Sequence, residues 1–432
     1  MCDSASKAIV VLRLLVAQQR RKRVEGVSAG TLDLVNEIRE VCRMAQEQLP
    51  EPHGNTQLKD PMVLAMLLCG FFEPTVRSLR IMDQLSAVPQ VQEIVGKSRL
   101  AKSTLSDAIK RFDVSQLQSV VRILQRRMSP LTQCAPELAG IVRTIAQDGT
   151  SIRLAGDVAW AFQRRRDTKG RKDSQAKVHL QVDVQRWTME DFRVTGRKDS
   201  SEQATMKKML TPGTLYLMDR GYCGFDLYNE ILGQGCHMVT RLKKDIVFRP
   251  QQSRPLSEKD IAVGVQSDEL GYLGLKDEDL SPGTVRKNDP PRQLMRRVQI
   301  WDPLNKKAVI LITDLLDVEA WVIGGLYRSR WIVELYLRWL KVTTGYAHLF
   351  SQSKNGVQLQ MYVALIGTLL IHLHTGSPVS KYSLFALGLV AAGRATYTEL
   401  LPGILRLERE HMLAKARLAR KKAEAAGKNS VQ

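Results

Sequence analysis

Between residues 141 and 243 the chain switches repeatedly between strand-like and helix-like patterns, and the order of the switches restricts the fold more than any other feature. "GIVRTIAQDGTSIRL", "AKVHLQVDV" and "MEDFRVTG" read as strands, rich in β-branched residues and bounded by turn formers. "SSEQATMKKML" follows with a serine cap and helical spacing. Next come a short apolar strand, "GTLYLMDRGY", a helix with glycine at its end, "FDLYNEILGQG", and a last strand, "CHMVTRLK". This order of three strands, helix, strand, helix, strand predicts a mixed α/β sheet whose first strands form a meander.

The flanks differ in texture. Residues 1–140 are mainly helical in pattern, as in "TLDLVNEIREVCRMAQEQL". In "KSRLAKSTLSDAIKRFD" polar turn residues precede an amphipathic run that begins near Ser103, either a helical DNA-binding element or a capped surface helix. "RRKR" at 20–23 is a phosphate contact or a solvated charge run. Residues 245–318 break the α/β rhythm with turn-like "SRPLSEKD" and "RKNDPPRQ", then add the strand pair "MRRVQIWD" and "KAVILITD". They read as an inserted β-rich module. One helix is expected from about Glu319 to Thr343, a buried helix near 357–374, another apolar stretch near 383–393 and a basic helical tail. By texture the segments are a mainly helical 1–140, an α/β region at 141–244, the insertion at 245–318, a helical return at 319–380 and a helical basic region at 381–432.

Charge narrows the partners. The 432 residues carry 64 Lys and Arg against 44 Asp and Glu, a formal charge of +20. Such an excess favours a polyanion, nucleic acid first and an acidic membrane second. None of the six cysteines forms a C-x-x-C pair, so no zinc site is suggested. With no signal peptide apparent, reduced thiols and a cytoplasmic protein are expected. The longest apolar stretch, "MYVALIGTLLIHLH", reads as too short and too interrupted to span a bilayer, so no membrane partner is expected.

Three carboxylates stand out as candidate chemistry. Asp148 is expected near the end of the first strand of the α/β region, Asp219 at the end of the fourth, and Glu334 on the helix after the insertion. Adjacent strands lie about 4.8 Å apart, so two strand-end aspartates can converge and a helix packed on the sheet can add a third carboxylate. Such a set, without clustered His or Cys, suits hard cations, Mg²⁺ or Mn²⁺, and two ions can clamp an in-line phosphoryl transfer. The opposing reading is a turn residue at each strand end and an ordinary surface ion pair between Arg330 and Glu334. On one helix, Tyr327, Arg330, Glu334 and Lys341 would share a stripe about 60° wide. Arg164, Arg165, Arg166, Lys169, Arg171 and Lys172 in "QRRRDTKGRKD" form either a DNA-gripping or a solvated loop. His179 is expected to be structural, and His372 and His374, two apart on a helix, to be poor co-ligands.

The spacing Tyr327, Arg330, Glu334, Lys341 resembles the Y-R-E-K signature of DDE transposases of bacterial insertion sequences, insertion sequence family four. "QDGTSIRL" is similar to the first-Asp motif, and "LYLMDRGYCGFDLYNEILGQGCHMVTRLKK" to the second-Asp block. "AVILITDLLDVEAWVIGGLYRSRWIVELYLRWLK" is similar to the block leading into the catalytic Glu. The similarity covers about 141–375 and extends more weakly to "STLSDAIKRFD". It implies a ribonuclease-H-like core interrupted by a β-rich insertion, with Asp148, Asp219 and Glu334 as catalytic metal ligands for two Mg²⁺ or Mn²⁺ ions. It further implies cleavage at inverted-repeat element ends, joining of the 3′-hydroxyl to target DNA, and a homodimer pairing two ends. Tyr327, Arg330 and Lys341 would contact phosphates, and Arg241 and Lys243 match basic positions of the family. Trp301 in the insertion either stacks on a flipped base or packs in a core. Two alternatives stay open: a non-catalytic DNA-binding protein, or a ribonuclease-H-like nuclease without strand transfer.

Overall fold

The structure is a computed structural model. It describes residues 34–48, 58–73, 76–128, 138, 140–154, 158–163, 174–196, 201–274, 289–302, 306–342, 349–375 and 397–428, with isolated positions between 380 and 395. The chain divides into two compact units, residues 1–128, 342–350 and 362–432 in one and residues 129–341 and 351–361 in the other. "RRKR" and most of the 383–393 stretch lie outside the described residues.

The first unit is helical. It opens with α1 (Leu34–Gln48), α2 (Asp60–Phe72), α3 (Leu79–Leu85), α4 (Pro89–Val95), α5 (Lys102–Arg111) and α6 (Leu117–Arg126). α2 starts with an acid and a proline in its first turn, which suits the free N–H groups there. It is apolar on every side, and Val63 to Leu68, Phe71 and Phe72 are all buried, so it is a core helix rather than an amphipathic one. α5, the amphipathic run foreseen near Ser103, buries Leu105, Ala108 and Ile109 at helical spacing.

The second unit is a mixed sheet. β1 (Arg143–Leu154), β2 (Phe162–Gln163), β3 (Ser174–Asp183) and β4 (Thr188–Thr195) form the meander. α7 (Glu202–Lys207) leads to β5 (Thr214–Met218), and α8 (Phe225–Gly233) leads to β6 (His237–Arg241). β1 runs antiparallel to β3 but parallel to β5, and β5 runs parallel to β6. The two helices are the crossovers that parallel neighbours require. β5, "TLYLM", is buried at all five positions, as a strand covered on both faces must be.

Residues 245–318 do not build a sheet of their own. β7 (Phe248–Ser253), α9 (Glu258–Ala262), β8 (Val265–Leu273), β9 (Met295–Asp302) and β10 (Lys307–Thr313) succeed one another in the chain. The last strand pairs antiparallel with β6, which gives the order β2-β3-β1-β5-β6-β10-β9-β8-β7, with β4 also on β3. A buried charge ties the sheet to the helical segment after β10. Arg296, 1% exposed, holds both carboxylate oxygens of Asp268 at 2.8 and 2.7 Å. It also donates to the carbonyls of Leu315, Leu316 and Val318, which lead directly into that segment.

The segment is not one continuous helix, contrary to the single helix expected over 319–343. α10 (Ala320–Ser329) and α11 (Trp331–Val342) are separated at Arg330. There the bonds tighten to the three-residue type, Arg330 N–H to Tyr327 O and Val333 N–H to Arg330 O, both 3.2 Å. The backbone stays right-handed through the break, so residues on its two sides still face one another.

α12 (Lys354–Thr375) and α13 (Tyr397–Lys428) complete the described helices. α12 corrects the membrane argument drawn from sequence. Its segment Lys354–Leu373 is 20 residues long with mean hydropathy 1.5, long and apolar enough to cross a bilayer. The sequence pattern marked only the apolar core of this helix and underestimated its length. Within the fold, 78% of its most apolar window is buried. One reason is Gly367, where a Cβ would stand 2.3 Å from the Phe71 ring, so α12 and α2 approach as only glycine allows. Cys42, Cys69, Cys223 and Cys236 are free thiols.

Candidate active site

Asp148 sits in the middle of β1, not near its end as the sequence suggested, because the strand runs on to Leu154. What ends near it is the neighbour. β1 pairs with β5 only from Arg143 to Ala146, with Ala146 opposite Leu217. Two residues further on, the same register sets Asp148 level with Asp219, the first residue after β5. Neighbouring strands lie about 4.8 Å apart, so the two carboxyl groups leave adjacent backbone positions on one face of the sheet.

Both aspartates are anchored alike. Asp148 Oδ1 accepts the Gly149 N–H at 2.7 Å, and Asp219 Oδ1 accepts the Gly221 N–H at 2.7 Å. The Asp219 turn is held from below, because Thr240 donates to the Asp219 carbonyl at 3.2 Å and Lys243 Nζ to the Cys223 carbonyl at 3.2 Å. Lys243, assigned to DNA from sequence, thus carries a contact inside the protein. The buried Gln147 amide reaches the Tyr222 hydroxyl at 3.5 Å, a weak link between β1 and the same turn.

Glu334 enters from α11. Arg330 Nη2 donates to Glu334 Oε1 at 2.6 Å, and the guanidinium lies 5.8 Å from the centre of the Tyr327 ring. The two charged side chains are 13% and 30% exposed, so this is not the solvated surface pair of the opposing reading. Arg330 Nε is buried without a hydrogen-bond partner among the described residues. The stripe foreseen on an unbroken helix therefore survives the break for Tyr327, Arg330 and Glu334. Lys341 lies on α11, with its side chain outside the described residues.

These groups share one electrostatic field. Burial pushes Asp148 up to about 6; the Gly149 hydrogen bond and Arg330 oppose the rise, and the charges of Asp219 and Glu334 add to it. Arg330 is raised despite the burial that works against its charge, because Glu334, Tyr327 and Asp148 favour the cation. Tyr327 is raised, first by burial, and it senses Arg330, Arg241 and Asp219. Arg241 therefore borders the same cluster. The carboxylates are not gathered tightly, however. Among the described residues no three His, Cys, Asp or Glu side chains stand close enough to hold a metal ion.

Other expectations fare unevenly. Trp301 is 41% exposed on β9, so it is not the core residue offered as one reading, and β9 lies three strands from β5. Arg164, Arg165, Arg166, Lys169, Arg171 and Lys172 lie outside the described residues. His179 is fully buried with its Nε2 on Thr195 Oγ1 at 2.9 Å, and burial pulls it down to about 4. Lys177 and Glu202, singled out by no motif, form an ion pair at 2.5 Å beside Gly149. Only the serine before Glu202 gave a signal, and it was the signal of a helix start.

Comparison with known proteins gives a consistent result. Residues 143–370 match the family model described as the transposase DDE domain. A Sinorhizobium fredii chain carrying the name of a transposase, y4zB, is 24% identical over 272 residues, 62% of this chain and 70% of that one. A Geobacillus stearothermophilus chain, named as the transposase for insertion sequence element IS5377, is 28% identical over 154 residues, 35% of this chain and 37% of its own. The cryo-EM structure of a piggyBac transposase synaptic complex with hairpin DNA aligns at a TM-score of 0.38 and 10% identity. That alignment covers 89% of this chain and 79% of the other, and the likeness is too distant to carry fold or function.

Proposed function

The chain belongs to the DDE transposase family, and from that premise we propose that it cleaves the ends of an insertion sequence and joins their 3′-hydroxyls to target DNA. The observation that carries the proposal is the level placement of Asp148 and Asp219 on adjacent strand positions, with the charge of Glu334, on a helix that comes after five further strands, felt at Asp148. The order β4-β3-β1-β5-β6, antiparallel in the meander and parallel beyond it, supports a ribonuclease-H-like core. The spacing of Tyr327, Arg330, Glu334 and Lys341 supports insertion sequence family four and its Y-R-E-K signature. The division into a helical DNA-binding region, an interrupted core, the β-rich insertion and a basic tail belongs to the same proposal. So do a homodimer pairing two ends and work on DNA in the cytoplasm.

Divalent metals are general to the family. The donor set here fits them. Burial first, and then the charges of Asp219 and Glu334, push Asp148 up to about 6, and a hard dication would favour its ionised form. The same three residues would hold Mg²⁺ or Mn²⁺, two ions per site, with Glu334 exchanging Arg330 for the metal. Bound there, the ions supply an activated water and stabilise charge on the attacking and leaving oxygens.

The chain's own residues do the rest. Arg330 offers a fork of donors, including an N–H with no partner among the described residues, to a phosphate beside the scissile bond. Tyr327 orients that fork through its ring and can donate its hydroxyl. Arg241 and Lys341 add positive charge along the strand, and the half-exposed Trp301 is a stacking surface for a base further out.

The test uses linear DNA carrying the sequence that flanks this reading frame. With Mg²⁺, the full chain is expected to nick the element end, leaving a 3′-hydroxyl, and to join a pre-cut end to a second duplex. Nicking without joining would reduce the protein to a nuclease. Binding without either would reduce it to a DNA-binding protein.

A further inference from the structure

The first turn of α7 stands between the two aspartate-bearing segments. Glu202 Oε1 lies 2.9 Å from the point a Cβ on Gly149 would occupy, and Lys177 Cε lies 3.2 Å from it. On the other side, Glu202 Oε2 is 3.7 Å from the Cβ position of Gly221, and Asp219 Oδ1 is 2.9 Å from that same point. The Gln203 side chain continues the contact. Its Oε1 is 2.8 Å from the Cβ position of Gly224, and its Nε2 donates to the Cys223 carbonyl at 3.4 Å. One short helix therefore lies beside Gly149 with one residue and beside Gly221 and the Cys223–Gly224 end of the turn with two.

The mounting is firm. Ser201 caps α7 by accepting the Ala204 N–H at 3.2 Å, and the Thr205 hydroxyl donates to the Ser201 carbonyl at 2.9 Å. Lys177, on the neighbouring β3, holds Glu202 Oε1 at 2.5 Å, with side chains only 26% and 29% exposed. The lysine also solves an electrostatic problem. An unpaired Glu202 would repel Asp148 and Asp219 and turn outward to water; paired, it can stay.

We propose that Lys177 and Glu202 are a positioning pair for the transposase reaction: Glu202, anchored by Lys177, fills the gap between Gly149 and Gly221 and so sets the separation of Asp148 and Asp219. The inference rests on the reading of those aspartates as metal ligands. It assigns Glu202 no bond to the metal, and its effect passes through the two aspartates.

Mn²⁺ alone is the probe, titrated calorimetrically into the full chain. Supporting partners around a metal site typically matter by about 10–100-fold in affinity. Glu202→Gln and Lys177→Met are each expected to weaken Mn²⁺ binding by about tenfold or more, with unchanged circular dichroism, while Lys177→Arg restores most of the affinity. The sign for Lys177→Met is decisive. If Glu202 acted only as a nearby charge, removing the lysine would tighten Mn²⁺ binding, and that result overturns the proposal. So does wild-type affinity in both variants. Wild-type chain that binds Mn²⁺ no better than Asp148→Asn would instead sink the metal reading beneath the proposal, and the proposal with it. Should Lys177→Met fail to fold, Glu202→Gln and Lys177→Arg still decide, since an unchanged Glu202→Gln contradicts the positioning role by itself.

Discussion

Glu334→Gln is expected to abolish strand cleavage while leaving DNA binding intact or slightly stronger. The loss should exceed the roughly 10–100-fold typical of residues that merely support a metal site, because Glu334 is placed as a ligand. The retained binding has its own reason. In the free protein Arg330 is engaged by Glu334 at 2.6 Å. Neutralising the carboxylate releases the guanidinium for phosphate and removes a negative charge from the path of a polyanion. Gel-shift and nicking assays on the same element-end duplex separate the two effects. A variant that loses both together would show that Glu334 holds the fold rather than the chemistry, and one that keeps cleaving would remove it from the active site.

Asp268→Ala is expected to be the most damaging substitution outside the active site. It strands Arg296, 1% exposed, among the carbonyls of Leu315, Leu316 and Val318. Removing one partner of a buried ion pair costs about 3–5 kcal/mol, because a charge is left without its counter-ion in a medium that solvates it poorly. Native-state hydrogen exchange should show the loss in β8 and β9, and then in α10, because the Arg296 carbonyl contacts precede it directly. Replacing both charges by apolar residues, as in Arg296→Met with Asp268→Leu, should recover only part of the stability, because the carbonyls of Leu315, Leu316 and Val318 lose their donor. The comparison pair Arg297 and Glu269, 28% and 17% exposed, should matter less, because water can reach whichever charge is left. A loss below about 1 kcal/mol for Asp268→Ala would mean that water reaches Arg296 after all.

The α/β region was legible because its strands carry their own pattern. "TLYLM" reads as a short apolar strand and is one, buried at all five positions, and Ser201 announced α7. The same patterns misjudged extent. β1 outlasts its partner β5, and nothing in "QDGTSIRL" says that pairing with β3 continues to Leu154. The break at Arg330 was equally hidden, since no proline or glycine marks it and the turn merely tightens. The way β10 docks on β6, extending the core sheet through the inserted strands, is a long-range pairing that local periodicity does not encode. At the candidate site, spacing alone united Tyr327, Arg330 and Glu334, because three and four residues are one helical turn. Lys177 and Glu202 escaped notice because they meet only after β3 and α7 have packed, 25 positions apart in the chain.

The central claim is that Asp148, Asp219 and Glu334 close together on divalent metal. Anomalous diffraction from the full chain bound to element-end DNA and soaked in Mn²⁺ addresses it most directly. The expected result is Mn²⁺ peaks contacted by all three carboxylates, with Arg330 moved from Glu334 to a phosphate. Peaks held by other side chains, or Glu334 still paired with Arg330 beside an occupied site, would contradict it.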